Sequence, residues 1–146
     1  MNALLAVALA LAQVTPERQA LNDVAMSHIE ANVPPLAEFD VLMRRDLQAY
    51  FHTTTGKEGV ATYELLREGA TQTGVSYPKF YVWARFQTAD GAISEGAARV
   101  AAIERKSFQV ANFLSKSEIL AQPSGIYAVF PAPVCQRINA KLDVAK

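Results

Sequence analysis

Few of the side chains that carry enzyme chemistry are present, and none sits at a spacing that would make them work together. His28 and His52 are the only histidines, and Cys135 is the only cysteine. The histidines form neither a His-Glu-x-x-His nor a His-x-His pattern, so a zinc site would need a carboxylate that no spacing nominates. His28 falls on the apolar side of a helical repeat, which marks a core or boundary histidine. His52 falls where a helix should end, and there the negative pole of the helix favours an imidazolium. Gly56-Lys57 follows three threonines, but a phosphate-cradling loop requires glycine at position 51 and Ser or Thr at position 58. The chain has Phe51 and Glu58. Gly74-Val75-Ser76-Tyr77-Pro78 opens like a nucleophile elbow and then places proline where the second glycine belongs. Cys135 lacks any local context for a thiol pair with either histidine. A lone thiol of this kind reads as buried and inert, with an intermolecular disulfide as the competing reading. No catalytic residue, metal or cofactor is therefore assigned.

Binding chemistry is better represented. Between Lys79 and Thr88, Phe80, Val82, Ala84 and Phe86 alternate with Tyr81, Trp83, Arg85 and Gln87, the pattern of a strand with two distinct faces. With the first set in the core, the second displays Tyr81, Trp83 and Arg85, joined by Arg99 from the next strand. Trp, Tyr and Arg dominate binding hot spots because they bury large areas and keep a polar handle. Tyr81, Trp83, Arg85 and Arg99 are accordingly the expected binding site for a protein or small-molecule ligand. In the competing reading helices cover this face, or Arg99 stacks on Trp83 merely to shield the sheet. A second route to function is a cavity between helices and a concave sheet, used by an enzyme or a small-ligand carrier. Asp40, Asp46 and Glu64, with Tyr50 and Tyr63, would line it, a buried carboxylate of raised pKa serving as acid or base.

Two helices must precede the strands. Thr15 can cap, Pro16 suits the first helical position and Glu17 suits the positive pole of the helix. Leu21, Val24, Ala25, His28 and Ile29 then recur on one helical face until Val33-Pro34-Pro35 ends the element. A second helix is predicted from Pro35 to about Tyr50, with Leu36, Phe39, Leu42, Met43, Leu47 and Tyr50 as its stripe and Thr53-Thr54-Thr55-Gly56 as its stop. Strands are predicted at Val60–Leu66, Lys79–Thr88, Ala97–Glu104, Phe108–Phe113 and Ile126–Phe130. Asp90-Gly91 is a hairpin signal. A two-residue loop there would pair Val82 with Arg99, whereas one extra residue near Gly96 pairs Val82 with Val100 and Phe80 with Ala102. A bulge at Gly96 is therefore expected, with Trp83 opposite Arg99. Ser115 to Glu118 has capping-box spacing, and a last helix follows Pro133 with Val134, Ile138 and Leu142 on one side.

The fold class that follows is α+β: N-terminal helices on one face of a curved antiparallel sheet of four or five strands, with a short C-terminal helix. In element order alone this resembles the cystatin-like and nuclear-transport-factor-like architectures; the expected C-terminal helix departs from both, and architecture does not fix function.

Ala3 to Ala12 form an unbroken apolar run followed by Gln13. Ten helical residues rise about 15 Å, too short to span a bilayer, but they suit the apolar segment of a secretory signal peptide cleaved after Ala10-Leu11-Ala12. No Lys or Arg precedes the run, which is the feature such a peptide lacks here. Residues 1–12 are thus read as a leader and 13–146 as one domain, periplasmic or secreted, without a stable membrane span. The 146 residues, 51% of them hydrophobic, exclude disordered and collagen-like classes. Fourteen basic and fourteen acidic groups balance, so nucleic acid is not an expected partner. The charge is uneven, net −4 over residues 1–75 and +4 over 76–146, which an internally paired surface explains. An assembly subunit burying the leader region or a strand edge in a homo-oligomer is the third reading.

Overall fold

The computed structural model describes residues 15–144, and the apolar run assigned to a leader lies outside them. Thr15 starts helix α1 (Pro16–Asn32) as expected, its hydroxyl accepting from the Arg18 backbone N–H at 3.2 Å. The apolar repeat of α1 does not face the body of the protein. Leu21 is 71% exposed, Val24 and Met26 are also exposed, and Asn32 alone is buried.

Helix α2 (Leu36–Thr55) buries Met43, Leu47 and Phe51, while Leu36 points outward. It outlasts the expected end at Tyr50 because its threonines turn their hydroxyls inward: Thr54 and Thr55 both donate to the Phe51 carbonyl. Such back-bonding lets β-branched residues finish a helix they would not start. Gly56 then closes it at φ +71°, its N–H reaching the His52 carbonyl at 2.8 Å.

Four antiparallel strands follow: β1 (Gly59–Leu65), β2 (Lys79–Thr88), β3 (Ile93–Ile103) and β4 (Ser107–Ser115), in sheet order β1-β2-β3-β4. One face presents Ala61, Phe80, Val82, Phe86, Val100 and Phe108 to α2. Phe51 stacks on Phe86 at 5.3 Å, and Phe39 sets its edge against Phe80 and Phe108 at 4.9 and 5.0 Å. Offset and edge-on contacts of this kind add to the gain from apolar burial.

The opposite face is also covered. Helix α3 (Lys116–Ala121), capped by Ser115 through the Glu118 N–H, a 3-10 turn (Pro123–Ala128) and helix α4 (Ala132–Val144) lay Ile119, Ile126, Phe130, Val134, Ile138 and Leu142 over it. The Ile126–Phe130 run predicted as a strand lies within and just after the 3-10 turn. Its apolar residues Ile126 and Phe130 stand four apart and face the same core, a spacing that a short apolar run shares with helix. Among the described residues the protein is α+β, with two helices ahead of a four-stranded antiparallel sheet and two short helices with a 3-10 turn between them after it.

The β2–β3 register keeps the expected parity, for a different reason, but lies two residues from the expected pairs. Val82 pairs with Ala98, Phe80 with Val100, Trp83 with Ala97 and Tyr81 with Arg99. The loop holds three residues, Ala89-Asp90-Gly91, with the Thr88 N–H donating to Ala92 O at 2.9 Å and Gly91 at φ +88°. That extra loop residue does the work assigned to a bulge at Gly96. Gly96 answers another need: a Cβ there would overlap the Leu114 carbonyl oxygen on β4. The irregularity lies between β3 and β4 instead, where Arg99 pairs with Asn112 and Val100 with Val110, leaving Ala111 as the extra residue.

Candidate functional site

The four residues of the expected binding face are brought onto one side of the sheet but not into one open surface. Tyr81 and Trp83 retain only 4% and 8% of their exposure beneath the C-terminal helices. The Tyr81 ring meets the edge of Phe130 at 6.1 Å, and its hydroxyl shares a 2.7 Å hydrogen bond with Thr71. The Trp83 indole N–H donates to Glu95 at 3.2 Å, and the Lys141 ammonium lies 5.8 Å from its ring centroid. Arg85 is exposed, opposite Thr62 on β1 and Glu95 on β3. Arg99 is half-buried between Tyr81 and Asn112. Along β3, Glu95, Ala97 and Arg99 share this face. Ala97 is fully buried under the C-terminal segment, so Glu95 and Arg99 stand on either side of it. The expectation of an open aromatic face is thereby corrected. The last helix carries an apolar stripe that needs a partner, and the aromatics of β2 supply it.

At the Glu95 margin a cleft of about 450 Å³ remains. Leu66, Trp83 and Ala140 form its apolar wall, and Glu64, Glu95, Lys116, Arg137 and Lys141 its polar rim. Two of the cations are occupied, Lys141 by Glu64 at 2.8 Å and Lys116 by Glu95 at 3.6 Å. Arg137 has no ion-pair or hydrogen-bond partner among the described residues, so a full guanidinium fork is left for a ligand. The geometry of α4 explains the placement. Burying Val134, Ile138 and Leu142 sets Arg137, Ala140 and Lys141 along the flank that overlooks Trp83. The i, i+4 pair Arg137 and Lys141 was visible in the chain as a polar helix flank, but only the docking of α4 connects it to Trp83.

The second expected site is not formed as a cavity. Met43, Leu47, Phe51 and Phe86 fill the layer between α2 and the sheet. The residues assigned to it lie at its edges. Asp40 is exposed and accepts from Arg44 at 3.1 Å and from the Tyr63 hydroxyl at 3.0 Å; these two bonds hold its carboxyl below the usual range. Burial first, and the Asp40 bond second, push the Tyr63 phenol up to about 12. Asp46 accepts the Phe108 N–H at 2.6 Å and a fork from Arg45, a structural clamp on β4. Glu64 is exposed in its pair with Lys141. Tyr50 packs on Phe51 and Phe113, and burial raises its phenol.

Cys135 is buried, its thiol directed to the Ile126 and Phe130 carbonyls, and burial raises its pKa, the opposite of what a reactive thiolate needs. Among the described residues, no group of three or more His, Cys, Asp or Glu side chains could hold a metal ion, and no helix is long and apolar enough to cross a membrane. The chain matches none of the protein-family models, characterised proteins or solved structures with which it was compared.

Proposed function

We propose that this is a small, exported, non-catalytic binding domain that engages a protein or ligand at the margin of its sheet, in the Trp83 cleft. One observation carries the reading: beside a tryptophan-walled cleft of about 450 Å³, Arg137 is the one rim cation with no partner among the described residues. An apolar wall with a few convergent polar groups is the common composition of ligand sites. Arg85 is exposed two residues along β2 from Trp83, outside the residues that line the cleft. The binding face read from the sequence thus becomes its accessible edge, with Arg137 and Lys141 added and Tyr81 assigned to packing. Export rests on the apolar run Ala3–Ala12 and its Ala-Leu-Ala ending.

The test is a photo-crosslinker, benzoylphenylalanine, placed at position 140 on the cleft and at position 49 on the outward side of α2, in protein made by its native host. A discrete adduct from position 140, absent from position 49 and lost with Arg137→Glu, is the expected result. Equal labelling from both positions, or none from 140, overturns the site. The intact mass of the recovered chain checks export independently. A chain starting at Gln13 in an exported fraction supports it, and one retaining Met1 in the cytoplasm removes it.

A further inference from the structure

We infer that Arg99 and Lys79 form a second site, separate from the Trp83 cleft, that binds a phosphate group. Both lie on the sheet face covered in its middle by the C-terminal helices. Tyr81 is directly opposite Arg99, and Lys79 precedes Tyr81 by two residues, so the two cations are diagonal neighbours on adjacent strands. Both are half-buried.

Neither cation is neutralised. Among the described residues the Arg99 guanidinium donates once, from Nη1 to Asn112 Oδ1 at 3.4 Å, and its buried Nε has no hydrogen-bond partner. Lys79 gives one of its protons to the Tyr77 carbonyl at 2.6 Å and has two more. Among the described residues no carboxylate stands within ion-pair distance of either. Desolvation, and then the charge of Arg99, hold the Lys79 ammonium below the usual lysine range. Three other lysines are ion-paired, Lys57 with Asp90, Lys116 with Glu95 and Lys141 with Glu64, and Lys106, which has no ion pair among the described residues, is exposed where Lys79 is half-buried.

Two like charges held partly out of water repel each other, and the bond a counter-charge makes there is stronger than on an open surface. The charge to be matched selects the ligand. A carboxylate supplies one negative charge and leaves one cation unbalanced; a phosphate monoester or inorganic phosphate supplies about 1.5 to 2 at neutral pH, with three acceptor oxygens. A guanidinium fork through its outer nitrogens, joined by a lysine point charge, is a common way to hold such a group.

The test measures binding of inorganic phosphate and of O-phosphoserine by calorimetry and thermal shift, at constant ionic strength, with acetate as the monoanion control. Both phosphates should bind and raise Tm, and acetate should not. Tighter binding of phosphoserine assigns a monoester, and tighter binding of inorganic phosphate assigns the free ion. Arg99→Gln and Lys79→Gln should each weaken binding by about tenfold or more. Arg85→Gln, on the same strand face but opposite Glu95, and Arg137→Glu, in the cleft, should leave it unchanged. In phosphate-free buffer Arg99→Gln should melt no lower than the parent, because a repulsion has been removed; this keeps a folding defect distinguishable from a lost ligand contact. Binding that acetate matches, or that Arg99→Gln leaves intact, overturns the site.

Discussion

Asp90 accepts from three directions at the β2–β3 turn. The Thr88 hydroxyl and the Ala92 N–H both donate to its Oδ1, and Lys57 stands 3.4 Å from its other oxygen. These bonds favour the ionised form, Thr88 most strongly, and bring the pKa down to about 2. A carboxylate depressed in the folded state stabilises it above the unfolded pKa of about 3.9, and that contribution is lost as the pH falls through the folded value. Asp90→Asn should therefore flatten the acid side of the stability curve between about pH 4 and pH 2, measured by urea unfolding at stepped pH. An unchanged slope would show that the turn does not depend on the charge. The turn itself was readable from Asp90-Gly91; its third residue, Ala89, was not, because nothing in the residue types marks Thr88 and Ala92 as the closing pair. Gly96 shows the same limit. A glycine inside a strand announces a backbone peculiarity, and whether that is a bulge or a close approach depends on which strand lies alongside. Gly96→Ala would place its methyl on the Leu114 carbonyl, so it should lower stability by more than the small cost of an ordinary surface change, read as a drop in the urea midpoint.

At the level of elements, Asn32 joins α1 to the β3–β4 turn. Its side-chain oxygen accepts the Glu104 N–H at 2.9 Å, and its backbone carbonyl accepts the Arg105 N–H at 2.8 Å. Glu104 and Arg105 both have positive φ, 51° and 62°, a conformation that costs non-glycine residues energy unless their surroundings hold it. Asn32→Ala removes the side-chain acceptor from a partly buried N–H and should cost about 1–3 kcal/mol, checked by equilibrium denaturation. A loss no larger than that of a surface change would mean that the turn holds itself. Neither the left-handed pair nor its clamp could be read from the chain, since Asn32 and Glu104 are far apart in sequence. Elements with one clear period were readable: β2 to the residue, the Ser115 cap and the face of α4. The end of α2 was missed because Thr54 and Thr55 spend their hydroxyls on the helix itself.

Across the whole molecule, one sheet separates two apolar cores, and this is what reassigns the aromatic face. Alternation in β2 distinguishes two faces but does not say whether the second is wet or covered by helices. The apolar stripe waiting on the last helix, Val134, Ile138 and Leu142, was the available sign of a second core. Trp83→Ala should consequently cost about 3–5 kcal/mol as a core truncation, which makes rim substitutions such as Arg137→Glu the proper probes of binding. The uneven charge along the chain is partly paired across its halves, Lys57 with Asp90 and Lys141 with Glu64. Such exposed pairs contribute little to stability and mainly shape the surface. Because Trp83 is the only tryptophan, its fluorescence reports on the closure of this face without any substitution. Blue-shifted emission that acrylamide quenches slowly in the native protein, becoming red-shifted and freely quenched on unfolding, is the predicted result. Red-shifted, freely quenched emission from the folded protein would contradict it. Tyr81, Trp83, Arg85 and Arg99 would then form an open surface, and the C-terminal helices would not be its cover.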